Sequence, residues 1–404
     1  MRGKDLFEKI TNIDDEIITK TAHINKKGKP PYIRWIGFAA CFAVVVSAVA
    51  LYSNNNNETV TDPNLPMITL NIDLGGSMGF EGYMANSIED LVNANPWNEN
   101  IALPHLPVIN NKVIYNERQA IESPDYALME TLLKDTARSL GMETDSLPIT
   151  NDIPTDEEQT TITEKFDGEV PEGYFNISRL FMEDENYKLT VDTSYTTRVD
   201  FKEPVNMLPS EYNFTHHATY DETLKVAEYL KEEYADFIGM ENPTINISGG
   251  DFNIYAEQSY SISFFESDSD ISQSILNYHF NLVIFACNDN GELFIARRYY
   301  TDLSDIVGEY PIIDADEATK LLDKGNYITT VPEEFEGEEY IRKVELIYRN
   351  SSHEKVFMPY YRFYVELPEY KREDTGLNTY GAYYVPAVEG QYIENMPIWA
   401  GDFN

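Results

Sequence analysis

Residues 219–239, TYDETLKVAEYLKEEYADFIG, carry the punctuation of an amphipathic helix. Thr219 with Glu222 three residues on is a capping box, in which hydroxyl and carboxylate each take a backbone N–H of the first turn. Leu224, Ala227, Leu230, Tyr234 and Phe237 share one face, and Gly239 supplies the left-handed residue that stops the helix. The chain beyond Gly239 turns strand-like: Phe252 to Phe265 and Tyr278 to Cys287 are rich in Tyr, Ile, Phe and Val. Asn288-Asp289-Asn290-Gly291 then reads as a hairpin turn into Glu292 to Tyr300. A helix followed by hairpin-linked strands, with no parallel crossover, predicts an α+β fold with the helix on one sheet face.

The same order recurs on either side. Asp125 to Leu140 predicts an earlier helix on Leu128, Leu132 and Leu133, stopped at Gly141. Its end, ARSLGME (137–143), parallels ADFIGME (235–241), which suggests an internal duplication about 98 residues apart. Chance likeness of two glycine-capped helix ends is the alternative. A shorter helix begins near Asp314, with Glu317 in capping-box position, and ends at Gly325. Beyond it Val344, Leu346 and Tyr348 make one strand face, and Tyr361, Phe363, Val365 and Leu367 another. The expected organisation is residues 1–34 as a cytosolic amphipathic segment, 35–52 as a transmembrane helix and 53–66 as a polar linker. Extracytoplasmic α+β regions at 67–209, 210–310 and 311–404 complete it.

The membrane assignment rests on Trp35 to Tyr52, eighteen residues without a charge, long enough at 1.5 Å per residue to reach about 27 Å. Lys26, Lys27, Lys29 and Arg34 precede it, and no Lys or Arg follows until Lys112. The positive-inside rule then puts the N-terminus in the cytoplasm. Residues 1–34 hold eight Lys/Arg against five Asp/Glu, so the tip is +3 and the rest of the −39 chain is −42. A surface this acidic repels nucleic acid, which is excluded as a ligand. A cleaved signal peptide is the alternative at Ala48-Val49-Ala50, but a 34-residue preceding segment is too long for one. Inside the cell Leu6, Ile10, Ile13 and Ile17 recur at helical spacing. A helix this short is marginal alone, so the stripe must dock on the lipid bilayer or on a cytosolic partner. Cys287 is the lone ectodomain cysteine, which leaves no intramolecular disulfide and suits a bacterial envelope.

Two stretches resemble known families. IDDEIITKTAHINKKGKPPYIRWIGFAACFAVVVSAVA (13–50) is similar to the start of anti-sigma-factor-like single-pass membrane proteins of clostridia and related Gram-positive bacteria. YPIIDADEATKLLDKGNYIT (310–329), VELIYRN (344–350), MPYYRFYVEL (358–367) and YGAYYVPAVEG (380–390) are similar in layout to PepSY-like extracytoplasmic regulators, including those that restrain a cell-wall histidine kinase. The likenesses cover about 50 and about 80 residues and contain no chemical motif. They imply regulation without catalysis, with a sigma factor or a histidine kinase as the cytosolic partner, and transfer no functional residue individually.

Chemistry-bearing motifs are sparse. Gly75-Gly76-Ser77-Met78-Gly79 fits G-x-S-x-G, but a nucleophile elbow needs parallel strands before it and a helix straight after, whereas Phe80-Glu81-Gly82-Tyr83 follows. The six histidines include no pair at helical ligand spacing. His216 and His217 are expected on opposite sides of a strand. Asp268-Ser269-Asp270 lacks the glycine and final glutamate of an EF-hand loop and reads as solvated. No catalytic residue, metal or cofactor is therefore expected. The candidate binding surface is tyrosine-rich: Tyr360, Arg362 and Tyr364 opposite the apolar row of their strand, with Tyr380, Tyr383 and Tyr384 on the next. Cross-strand tyrosine packing is the alternative. The expected function is a membrane-anchored extracytoplasmic regulator or sensor that couples an envelope ligand to cytosolic signalling. A surface or wall-associated binding protein without signalling is second, and a serine hydrolase a distant third.

Overall fold

Asp125, whose side chain accepts the Leu128 N–H at 3.0 Å, starts helix α1 (Tyr126–Ser139), and Met129, Leu133 and Ala137 form its buried stripe. The computed structural model describes residues 64–70, 84–86, 91–112, 115–116, 119–120, 124–166, 168, 170, 173–252, 257–329, 331–350, 354–373 and 375–401. All belong to one unit, Asp62–Asn404. The stripe at Leu6, Ile10, Ile13 and Ile17, the span 35–52 and the Gly75–Gly79 motif lie outside the described residues, among which no helix is long and apolar enough to cross a membrane.

Further helices are α2 (Asp156–Lys165), α3 (Tyr220–Glu233), α4 (Ala235–Ile238), α5 (Ile271–Phe280) and α6 (Ala315–Asp323). The capping box forms at α3: the Glu222 carboxylate accepts the Thr219 N–H at 2.9 Å while the Thr219 hydroxyl accepts the Glu222 N–H at 3.4 Å. The helix expected to run unbroken to Ile238 divides at Tyr234, whose ring lies 5.6 Å from Phe201 and 5.5 Å from Phe285. Gly239, at φ 63°, closes α4.

The fold is α+β, helices on antiparallel sheet. Thirteen strands form the main sheet, and every pairing among them is antiparallel. After α1 come strands Thr150–Asn151, Arg179–Glu183, Tyr187–Asp192 and Thr197–Phe201, neighbours in that order. After α4 come Pro243–Phe252, Gln258–Glu266, Val283–Cys287 and Leu293–Arg298, again in order. The two meanders join through their last strands, Leu293–Arg298 on Thr197–Phe201. Strand order is thus shared. The inserted helix is not: α2 follows the first strand of one meander, α5 the second of the other. Tyr278, expected in a strand, lies in α5, and Asp270 of the expected solvated loop is its N-cap, accepting the Ser272 N–H at 2.9 Å.

The C-terminal strands Ile341–Tyr348, Pro359–Glu366 and Asn378–Pro386 continue the sheet, joined to Pro243–Phe252 through the short strand Met84–Asn86. One core lies between α1, α3 and the inner face of the two meanders, including Leu189, Val199, Phe264 and Phe285. A second joins α5 and α6 to Tyr361, Phe363, Val365 and Tyr383. A third, on the other face of those strands, packs Tyr360 and Tyr384 with Ile68, Tyr392 and Ile393.

Candidate functional site

The tyrosine-rich surface expected on the C-terminal strands is interior. Tyr360 is 1% exposed, Tyr364 6%, Tyr380 2%, Tyr383 0% and Tyr384 7%, so none presents a ring to a partner. Register explains the grouping. Tyr360 pairs with Pro386, Arg362 with Tyr384 and Tyr364 with Ala382, which puts the first row on the third core's side. Tyr383 pairs with Phe363 and faces the second core, its hydroxyl donating to Glu333 O at 2.9 Å.

Arg362 is held by a buried carboxylate. Glu345, directly across from it, accepts from Arg362 Nη2 at 2.5 Å, Lys343 Nζ at 2.9 Å, Asn93 Nδ2 at 2.7 Å and Tyr364 Oη at 3.3 Å. Burial alone would raise its pKa. Arg362 and Lys343 outweigh that and hold it down at about 2. Nearby, burial pushes His279 down to about 3, so its imidazole is neutral. A second pair, Arg349–Glu354 at 3.1 Å, sits under the rings of Tyr360 and Tyr384, 5.4 and 5.9 Å from the guanidinium carbon. The buried Glu345 and Glu354 therefore each have a counter-charge, as interiors require.

A different arrangement occupies the outer face of the first meander. Leu180, Met182, Leu189, Val191 and Val199 turn inward, so their neighbours turn outward. Across four strands Phe181 pairs with Thr190, Thr190 with Arg198 and Arg198 with Arg297. Arg179 opposes Asp192, and Lys188 opposes Asp200. These side chains, with Lys202 and Tyr299, line an open trough of about 720 Å³ holding five basic and two acidic residues.

The two carboxylates are committed. Asp200 accepts from Arg198 Nε at 3.0 and 3.1 Å, and that hydrogen bond raises the guanidinium's pKa. Asp192 accepts from the backbone N–H of Ser194 at 2.9 Å and of Thr196 at 3.2 Å. Lys202 donates to Glu183 at 2.5 Å. Arg179, Lys188 and Arg297 have no carboxylate within ion-pair reach among the described residues, and Lys188 sits 5.5 Å from the Phe181 ring centroid. Two strands beyond Arg297 the same face is roofed, Phe265 packing 5.3 Å from Tyr278 of α5.

Sequence reasoning misses this trough because its cations are spread from Arg179 to Arg297 and only strand register gathers them. The alternation of Arg198, Asp200 and Lys202 is the available signal.

The structure also sets Cys287 Sγ 3.7 Å from His216 Nδ1, with His216 Nε2 3.4 Å from Asp289. His216 and His217 lie in a turn, not a strand. The order thiol, imidazole, carboxylate suggests a nucleophile, but burial pushes the thiol's pKa up, away from the thiolate, and Asp289 is fully exposed in its hairpin. No three His, Cys, Asp or Glu side chains among the described residues are grouped to hold a metal ion.

The chain matches no protein-family model and no curated protein. Among solved structures it matches an uncharacterized protein from Eubacterium rectale ATCC 33656 at TM-score 0.32 and 9% identity, over 71% of this chain and 85% of that one.

Proposed function

We propose that this chain is a non-catalytic, membrane-anchored regulator or sensor, with residues 1–34 in the cytoplasm, residues 35–52 across the bilayer and the remainder outside. The observation that carries the binding role is the trough: five basic side chains gathered on one bare sheet face of a chain whose net charge is −39. Fixed cations short of partners attract an anion from a distance and hold it at one place. The charge asymmetry around Trp35 to Tyr52 and the resemblance of residues 13–50 to anti-sigma-factor-like proteins support the anchor and the cytosolic role. Two meanders of shared strand order support reading residues 67–209 and 210–310 as copies of one unit.

The cytosolic partner is a sigma factor or a histidine kinase, docked on Leu6, Ile10, Ile13 and Ile17. Burying each of these contributes about 1.5–3 kcal/mol before ordering costs, so Ile10→Asp with Ile13→Asp should release the partner. Crosslinking to residues 1–34 in cells should then lose its product, and transcription of the target genes should change. If neither responds, the chain is a wall-associated binding protein without a signalling role. A serine hydrolase would instead be labelled by a fluorophosphonate, and would lose that labelling in Ser77→Ala.

A further inference from the structure

We infer that the ligand of the trough is a linear polymer of phosphodiester-linked polyols or sugars, lying across the strands from Arg179 to Arg297. This rests on the binding role proposed for that face and names its ligand class.

Shape argues for a polymer. The row from Phe181 to Arg297 crosses four strands, three spacings of about 4.8 Å or about 14 Å in all. Phe181, Ile284 and Ile295 on this face join no described apolar core, so the row lies open. An enclosed small molecule needs walls that bury most of its surface. A chain passing over a strip needs only repeated contacts.

Charge argues for phosphodiester. Arg297 is the direct cross-strand neighbour of Arg198; the Arg198 fork is held by Asp200, which leaves Arg297 as the fork on this row without a carboxylate partner among the described residues, with the hydroxyl of Thr190 two strands away. Arginine matches the two free oxygens of a phosphodiester bidentately. Lys188, one strand from Arg198, and Arg179, two strands from it, lie in the rows on either side of that row, where neighbouring phosphates of a chain crossing the face would fall. Phe181 and Tyr299 supply apolar faces for the C–H groups of the spacer. Asp200 is paired with Arg198, and Asp192, bonded to the backbone N–H groups of Ser194 and Thr196, leaves Arg179, Lys188 and Arg297 in excess over it.

The test uses the full chain in nanodiscs of zwitterionic lipid and a synthetic glycerol-phosphate hexamer, with binding followed by calorimetry. Saturable binding that weakens at high salt is expected, at least tenfold weaker in Arg179→Ala with Arg297→Ala at an unchanged unfolding midpoint. Uncharged polyglycerol of the same length should not bind, and inorganic phosphate should bind more weakly than the hexamer. Absence of hexamer binding, or equal binding by the double variant, overturns the inference. A glutamate hexamer binding as tightly as the phosphate hexamer overturns the phosphodiester assignment in favour of an acidic peptide. Failure of the regulator reading looks different: the hexamer binds through Arg179 and Arg297, yet target transcription ignores their replacement.

Discussion

The arginines of the C-terminal sheet and those of the trough belong to the same antiparallel sheet but do opposite work. Arg362 is 16% exposed and faces a carboxylate that is 5% exposed; Arg349 is 12% exposed beside a 4% exposed Glu354. Desolvated cations of this kind persist only with a partner in place, and removing either member leaves the other stranded. The trough's cations stay hydrated, which makes incomplete pairing tolerable. Aromatic residues and arginine at spacing two thus mark two different things, and whether each cation reaches a carboxylate tells them apart. Where every cation reaches one the cluster builds the fold, and where cations are left without one the face is open to a ligand.

The largest expected effect tests the closed cluster. Glu345→Ala strands Arg362 and Lys343 and should lower unfolding free energy by about 3–5 kcal/mol, read from the urea midpoint. If it costs less than about 1 kcal/mol, the cluster is hydrated and the contrast with the trough collapses.

Acid sharpens the same contrast. His279 stays neutral in the fold down to about 3, whereas an unfolded histidine takes a proton near 6.5, so stability should fall as pH drops from about 6.5 towards 3. Glu345 adds a second loss. Held at about 2 when folded, it stabilises fully above about 4.5 and loses that contribution as pH falls towards 2. At pH 4.5 the histidine alone should cost about 2–3 kcal/mol. His279→Gln should flatten the upper part of the denaturation profile and leave the lower part. An unchanged profile would show that His279 ionises normally.

Smaller effects belong to the trough. Arg198→Ala frees Asp200 at a partly hydrated site and should cost about 0.5–1 kcal/mol in the same urea measurement. Arg297→Ala, with no carboxylate partner to strand, should move stability by less than about 0.5 kcal/mol. A loss comparable with that of Glu345→Ala would mean that Arg297 is structural and the trough is not a ligand site.

How far the sequence can be read depends on where each element's information lies. α1, α3 and α6 announce themselves because cap and stripe are local: Asp125, Thr219 and Asp314 each accept a first-turn N–H. α5 hides because Ser274, Ile275, Leu276, Asn277 and Phe280 are all buried, which erases the stripe that separates helix from strand. α2, DEEQTTITEK, buries nothing and offers no stripe at all. Alternation places the C-terminal tyrosines on strands, but it does not tell a covered sheet face from a bare one. The trough depends wholly on register between distant strands, a long-range property of the chain.

Near residue 68 the described unit fastens its leading end to its trailing end. Ile68 donates to Tyr392 O at 2.8 Å and accepts from Glu394 N at 2.9 Å, with Leu70 N bonded to Asn395 Oδ1 at 2.7 Å and Thr69 Oγ1 to Glu394 at 2.7 Å. Tension arriving through the segment before Leu65 meets the bond from Tyr310 Oη to Pro66 O at 2.8 Å and then this clasp, so the two together act as a mechanical fuse. Pulled from the N-terminus in a force spectrometer, residues 65–70 should peel from 392–395 in one early step before the sheet yields, and Asn395→Ala should lower that first rupture force while leaving the later one unchanged.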